Sequence, residues 1–452
     1  MSSPQNASSF ANDHENNYTS PSIPPQLPTP PSQFLSHLSE NPKTITRELL
    51  KPYLDYENWL RRAFMRDDAE IDNLANIVPI YDGYETEFKI RTIDRDTANP
   101  EKYIMPLSYP PRQEHGVLAI TPSMEEYDLN FEGFSHDWSN VVAAGSSALL
   151  PLLPRRSSAK MNDNQHVEKA PEAYFEAVAG SSDIDLFLYG LDSEEAAITR
   201  IRQLESVVRK NQRLSPGKGL CLRSDNAITF ISPKYPYRHV QIILRLYRSI
   251  SEILTGFDVD CACVAFDGTQ VYSNPRGITA VATSTNTIDL SRRSPSYENR
   301  LWKYRNHYFD VFWDSLDRSR ITTDFTPPCD IKELTGLARL LFSEQVGGCW
   351  SRRQEYWRIR NLHNIEDSGR QNLSAPSGYA TFIIPYGKSF SAERIREHVK
   401  YYIKNACFGT IEEVITGEVQ SESGRFGAVT FIKDNPGRQM IGSFYPLDED
   451  DW

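Results

Sequence analysis

Apolar residues recur along this chain with two different periods, and the switches between them mark its elements. From Thr44 the segment TITRELLKPYLDYENWLRRAFM sets Leu49, Leu50, Leu54, Trp59, Leu60 and Phe64 near helical spacing, which predicts an amphipathic helix lying on a domain. VVAAG, residues 141–145, is a short apolar strand ending in Gly-Ser-Ser, and SALLPLL resumes at once as a helix start. SDIDLFLYG reads as a buried strand with two acids at its beginning. The helix after it, SEEAAITRIRQLESVVRKN, carries Ser193 as N-cap, Glu194 and Glu195 in its first turn, and Ile198, Ile201, Leu204 and Val208 on one face. Strands are predicted over 227–232 and 239–244, a helix over 247–254, and a last core strand in FDVDCACVAF.

The polar stretches divide the chain into four parts. Residues 1–43 are rich in Ser, Asn, Gln and Pro and offer too few apolar side chains to offset the entropy of ordering, so a disordered tail is predicted. Its PPQLPTPP run suits either a plain spacer or a polyproline ligand for an SH3 or WW domain. Residues 44–134 combine the first helix with an irregular segment packed on the core, and 135–324 form the α/β core and the helix after it. Within that core, RRSSAKMNDNQHVEKAPEAY reads as a surface insertion. Residues 325–452 read as a smaller α+β unit, with an apolar helix KELTGLARLLF, a strand YATFIIPY, a helix over 392–405 and a DNPG turn. Its WSRRQEYWRIR segment suits a helix packed on a core, or single-stranded nucleic acid gripped by stacking and phosphate contact. The fold class is therefore α+β or α/β, a mixed sheet flanked by helices.

Bulk properties narrow the function. At 452 residues the chain buries a substantial core without staples, and its six cysteines form no CxxC pair or zinc spacing. Cys261 and Cys263, on one face of a predicted strand, read as packing thiols rather than redox groups. A net charge of -11 argues against a surface that is basic throughout for DNA, while leaving room for a local basic site. No run approaches a membrane span and the N-terminus lacks a secretory pattern, so a soluble, intracellular protein of cytoplasm or nucleus is expected, with no membrane partner.

Two clusters bear on chemistry. Gly145 and Ser146 follow an apolar strand and open a helix, where backbone NH groups and the serine hydroxyl suit phosphate oxygens, although a plain turn has the same signature. Asp183 and Asp185 stand two apart in a strand and share a face, as a pair of magnesium ligands must, although a solvated strand end looks alike.

Gly145-Ser146 followed by Ser182-Asp183-Ile184-Asp185-Leu186 and a helix resembles the motif order of DNA-polymerase-β-like nucleotidyltransferases, including the CCA-adding and poly(A) polymerases. The longer phrases DWSNVVAAG, SDIDLFLYGL, YPYRHVQIILRLY, EILTGFDVDCACVAFDG and RRSPSYENRLWKY are similar to a fungal and giant-virus family often labelled ankyrin-repeat proteins, although no ankyrin repeat is found in this chain. The resemblance implies a nucleotidyltransferase-like core that binds a nucleoside triphosphate with magnesium or manganese on Asp183 and Asp185. Gly145, Ser146, Ser182, Arg300 and Lys303 would contact the nucleotide, and the acceptor would be RNA, protein or a small molecule. The superfamily carries a third acid on a neighbouring strand, where this chain presents Gln241, an amide that neither supplies negative charge nor accepts a proton. Asp260, with Asp258 beside it, is the substitute the sequence offers for the catalytic set, though either acid suits a turn as well. His239 is a candidate base, and Arg276, Arg292 and Arg293 are weaker phosphate candidates. A non-catalytic nucleotide sensor or interaction scaffold of the same fold is the alternative function.

Overall fold

Short apolar runs alternating with amphipathic helices can bury their apolar faces only by layering helices on a sheet. The computed structural model describes residues 23–65, 74–81, 100–104, 137–153, 183–224, 226–235, 237–294, 297–307, 309–320, 337, 340–341, 384, 389–402, 406–421 and 424–431. Helices α1 (Phe34–Glu40) and α2 (Thr46–Met65) lead into strands β1 (Val78–Pro79) and β2 (Tyr103–Ile104). The core runs β3 (Val141–Ala144), α3 (Ser146–Leu149), β4 (Ile184–Tyr189), α4 (Glu194–Asn211), β5 (Cys221–Arg223), β6 (Ala227–Phe230), β7 (Val240–Tyr247) and α5 (Ile250–Thr255). It continues through β8 (Val264–Phe266), β9 (Val271–Ser273), α6 (Pro275–Thr283), β10 (Thr285–Thr287), α7 (Tyr297–Asn306) and β11 (Asp310–Phe312). Last come α8 (Ala392–Tyr402), β12 (Cys407–Gly409), α9 (Ile411–Thr416) and the pair β13 (Gln420–Ser421) and β14 (Gly424–Arg425).

Among the described residues nine strands make one mixed sheet in the order β1-β9-β8-β3-β4-β7-β6-β5-β12. Its one parallel pair is β4 with β7, at the centre, and a parallel pair needs a long crossover, which α4 begins. Ser193 caps α4 by accepting the Ala196 amide, and Ile201, Leu204 and Val208 turn inward as the spacing predicts, with Ala197 buried beside them and Ile198 only partly buried against the core. Arg209 then pins the helix to the sheet: its buried guanidinium donates to Glu205, Gln212 and the carbonyls of Ile231 and Leu220. No helix among the described residues is long and apolar enough to cross a membrane.

Three expectations change. The predicted tail ends before residue 34, because Phe34, Leu35 and Leu38 lie at i, i+1 and i+4 on one face of α1 and enter the main core. Phe34 meets Tyr53 of α2 edge-on at 4.8 Å, and the Tyr53 hydroxyl lies 2.7 Å from Thr29 Oγ1, within the proline run. In FDVDCACVAF only Val264–Phe266 is strand. Asp260–Ala262 forms a 3-10 turn, so Cys261 and Cys263 do not share a strand face, although both are buried with thiols pushed up by desolvation, the opposite of a reactive thiolate. Part of the predicted C-terminal unit joins the central sheet, with β12 pairing antiparallel to β5 and Arg223 donating to the carbonyls of Val414, Gly427 and Ala428. The insertion over 154–179, WSRRQEYWRIR and DNPG fall outside the described residues.

Phe34→Ala should cost about 3–5 kcal/mol in denaturant unfolding, as truncation of a buried aromatic does. A loss under about 0.5 kcal/mol, the range of ordinary surface substitutions, would return α1 to the tail.

Candidate functional site

The site grows from the middle of the sheet. In β4 the alternation buries Ile184, Leu186 and Leu188 on one face and sends Asp183 and Asp185 to the other, both partly open to solvent. Antiparallel pairing sets Ala143 of β3 opposite Leu186, so the chain leaving β3 at Gly145 arrives at the end where β4 begins. Gly145 turns there with φ +82°, in the left-handed region that favours glycine, and its NH donates to the Val264 carbonyl. Ser146 follows, buried, with its Oγ 3.4 Å from Lys303 Nζ.

On the other side of β4, the parallel register places Gln241 of β7 beside Asp185. This is where the resemblance expects a third acid. The Gln241 amide donates to Thr229 Oγ1 at 3.1 Å across to β6, so the place is held by a neutral group tied to its neighbour. The loop before β7 adds two groups. Arg238 Nη2 lies 3.5 Å from the Asp183 carbonyl oxygen. His239 is buried, and its Nδ1 accepts the Ser232 backbone NH at 3.0 Å, which leaves Nε2 to carry the proton of the neutral ring.

Helix α7 closes the third side. Tyr297, Leu301 and Tyr304 form its buried face, while Arg300 and Lys303, three residues apart, present their charges to the carboxylates. Desolvation lowers the pKa of Lys303, and the charges of Asp185 and Asp183 pull it back up.

Asp260 does not join this group. Its Oδ1 accepts Arg276 Nη1 and its Oδ2 accepts the Thr287 amide, both at 2.8 Å, so both oxygens are committed to a buried ion-pair network. Asp258 is held by Arg300 at 2.7 Å and by the Ser294 hydroxyl at 2.5 Å. The weaker arginine candidates are also turned inward. Arg276 binds Glu57 and Asp260, Arg292 binds Glu57 and Asp289, and Arg293 binds Glu298. The site thus assembles Gly145, Ser146, Asp183, Asp185, Arg300 and Lys303 from the sequence reading and leaves out Asp260, while Ser182 lies outside the described residues. Arg238 was not anticipated, since a lone arginine in the loop SPKYPYR carries no pattern.

Electrostatics follow from the crowding. Burial raises Asp183, with His239, Lys303 and Arg238 partly offsetting it. Asp185 is pushed up to about 7, first by burial and then by the Asp183 charge. Two hard oxygen donors on one strand face suit magnesium or manganese, which take one or two carboxylates and fill their remaining positions with phosphate oxygens and water. Among the described residues no cluster of three His, Cys, Asp or Glu side chains forms a dedicated cage, so an ion would be held by Asp183 and Asp185 jointly with a ligand.

Residues 117–284 match the model of the Gabija anti-defense 2 family. A giant-virus protein, "Uncharacterized protein R883" of Acanthamoeba polyphaga mimivirus, is 36% identical over 176 residues, which are 36% of this chain and 38% of that protein. The chain therefore spans less than two-fifths of this relative's length. No solved structure matches. The giant-virus side of the expected kinship is met by this relative. The family match covers β3, β4 and β7 together with Gly145, Asp183 and Gln241, and it stops before α7, so Arg300 and Lys303 lie beyond the matched span.

The raised carboxyl has a consequence for stability. A folded pKa of about 7 against 3.8 unfolded means that Asp185 favours folding fully below pH 3.8, and the effect is lost as pH rises through about 7. Metal-free Asp185→Asn, which stays neutral, should therefore melt above the intact protein at pH 8 and close to it at pH 4, by differential scanning calorimetry. The same offset at both pH values would show that Asp185 titrates normally.

Proposed function

We propose that this protein binds a nucleoside triphosphate together with magnesium or manganese at the meeting of β3, β4 and β7, in a nucleotidyltransferase-like core. The observation that carries this is the convergence of the Gly145-Ser146 turn, the Asp183 and Asp185 carboxylates and the Lys303 ammonium from three separated stretches of chain. The match to the Gabija anti-defense 2 family supports the nucleotidyltransferase-like core. Asp183 and Asp185 would hold the ion, and Ser146, Lys303 and Arg300 would meet phosphate oxygens. A metal held there would supply neutralisation of the triphosphate charge and, where transfer follows, of the charge developing on the leaving phosphate.

Gln241 makes binding the primary activity. The amide cannot take a proton from an attacking hydroxyl, and neither Asp258 nor Asp260 replaces it, since each is bound to an arginine. Transfer of a nucleoside monophosphate to RNA, protein or a small molecule is the second reading, favoured by the intact pair of carboxylates on one strand face.

Incubation with each labelled nucleoside triphosphate and magnesium or manganese, following bound and transferred label, separates the two. The intact protein should retain nucleotide, and Asp183→Asn/Asp185→Asn should lose at least about tenfold in affinity. Gln241→Asp should tighten metal binding by roughly tenfold and raise labelled product. Absence of binding with either ion would overturn the site, and rapid transfer by the intact protein would establish the transferase reading.

A further inference from the structure

Asp258 and Asp260 stand two apart in FDVD, and both meet arginines, yet the two pairs are built differently. Arg276, the partner of Asp260, is buried throughout and also donates to Glu57 and the Phe257 carbonyl, so that pair has no end in the cleft. Arg300, the partner of Asp258, keeps 27% of its side chain open to solvent while Asp258 is only 6% exposed. The pair is buried at its acidic end and reaches solvent at its basic end.

The open end faces the candidate site. Arg300 lies one turn before Lys303 on α7, and Lys303 Nζ reaches toward Ser146 Oγ at 3.4 Å. The Arg300 charge is among those that pull the Asp185 carboxyl back toward ionisation, which places it within electrostatic reach of that carboxylate. A guanidinium offers five donors in a fixed fork. With Nη1 given to Asp258 Oδ1 at 2.7 Å, its orientation about the long side chain is set by an acid that is itself fixed, since Asp258 Oδ2 accepts the Ser294 hydroxyl at 2.5 Å. The neighbouring acid Glu298 is matched by Arg293, so the negative charge of Asp258 is directed to Arg300.

We infer that Asp258 is a positioning residue, which with Ser294 holds the Arg300 guanidinium at the cleft so that the arginine meets the phosphate chain of the bound nucleotide. This rests on the triphosphate-site reading. It turns the acid that sequence offers as a spare metal ligand into the support for a cationic contact. Without Asp258 the arginine would sample several rotamers, and phosphate binding would require ordering it each time.

The test is a double-mutant cycle on the full chain, with Kd for a manganese–nucleoside triphosphate and for the corresponding nucleoside measured by calorimetry. Asp258→Asn and Arg300→Gln should each weaken triphosphate binding by about five- to tenfold, the size of a charge-assisted hydrogen bond. The double variant should be no weaker than Arg300→Gln, and nucleoside binding should not change. Ser294→Ala, which keeps the ion pair and removes only its support, should show the same phosphate-selective loss at about two- to threefold, and it carries the test if Asp258→Asn does not fold. Equal losses for nucleoside and triphosphate, or additive losses in the double variant, would overturn the positioning role while leaving the site intact. Failure of the unaltered protein to bind any triphosphate would overturn the site, and this assignment with it.

Discussion

A charge taken out of water must meet an opposite charge or change its protonation, and the sorting of the acids in this protein follows from that constraint. Glu57 on α2, Asp260 after α5 and Asp289 before α7 come from distant parts of the chain and converge on Arg276 and Arg292. Apart from the local Arg292–Asp289 pair, each ion pair there joins separated stretches of chain, so the network ties α2 and α6 to the turn that carries Asp260. Asp183 and Asp185 are treated differently. The cations near them, Arg238, Lys303 and Arg300, do not cancel the cost of crowding two carboxyls together, and Asp185 stays raised. What sets them apart is that they share one face of a central strand, so the charge of one adds to the burial cost of the other, and such a place is suited to a cation from outside.

The sheet explains why the relevant groups meet. Parallel pairing of β4 with β7 brings the beginnings of both strands to one end, carrying Asp183, Asp185, Arg238, His239 and Gln241 together. Antiparallel pairing of β3 brings its finish, Gly145 and Ser146, to that same end. The choice of one parallel and one antiparallel neighbour for β4 is thus what assembles the Gly145-Ser146 turn beside a carboxylate pair. Helix α7 then adds Arg300 and Lys303 as neighbours one turn apart, and its buried face of Tyr297, Leu301 and Tyr304 holds them in place.

Periodicity made the local parts of this legible. The same-face placement of Asp183 and Asp185, the Ser193 cap and the inward face of α4 all depend on residues a few positions apart. Gln241 was singled out by the resemblance, which expects an acid on that strand, and the pairing of β7 with β4 sets it beside Asp185. What sequence could not reveal was decided by partners far along the chain. Asp260 looks like a free acid in FDVD until Arg276 and the Thr287 amide take both its oxygens. Likewise, three apolar residues around Phe34 are too few to predict a folded segment, and they are ordered by Tyr53 and a core formed mainly by later residues. The edge strand β12 is three residues long, and its place beside β5 is fixed by ladder hydrogen bonds and Arg223 rather than by any pattern of its own.

Gln241 is more than an absent acid. A carboxylate in its place would stand beside Asp185 and add a third negative charge to a pair whose mutual repulsion and burial already hold Asp185 near 7. Such a site is stable only with its cation bound, and the metal-free protein would have to take up a further proton or lose stability. The amide avoids that demand. It donates to Thr229, stays neutral at every pH and keeps β6 and β7 in register whether or not an ion is present. The same substitution removes the group that would accept a proton from an attacking hydroxyl. Stability of the empty site and chemical competence of the filled one therefore pull residue 241 in opposite directions, and in this chain the residue satisfies the first.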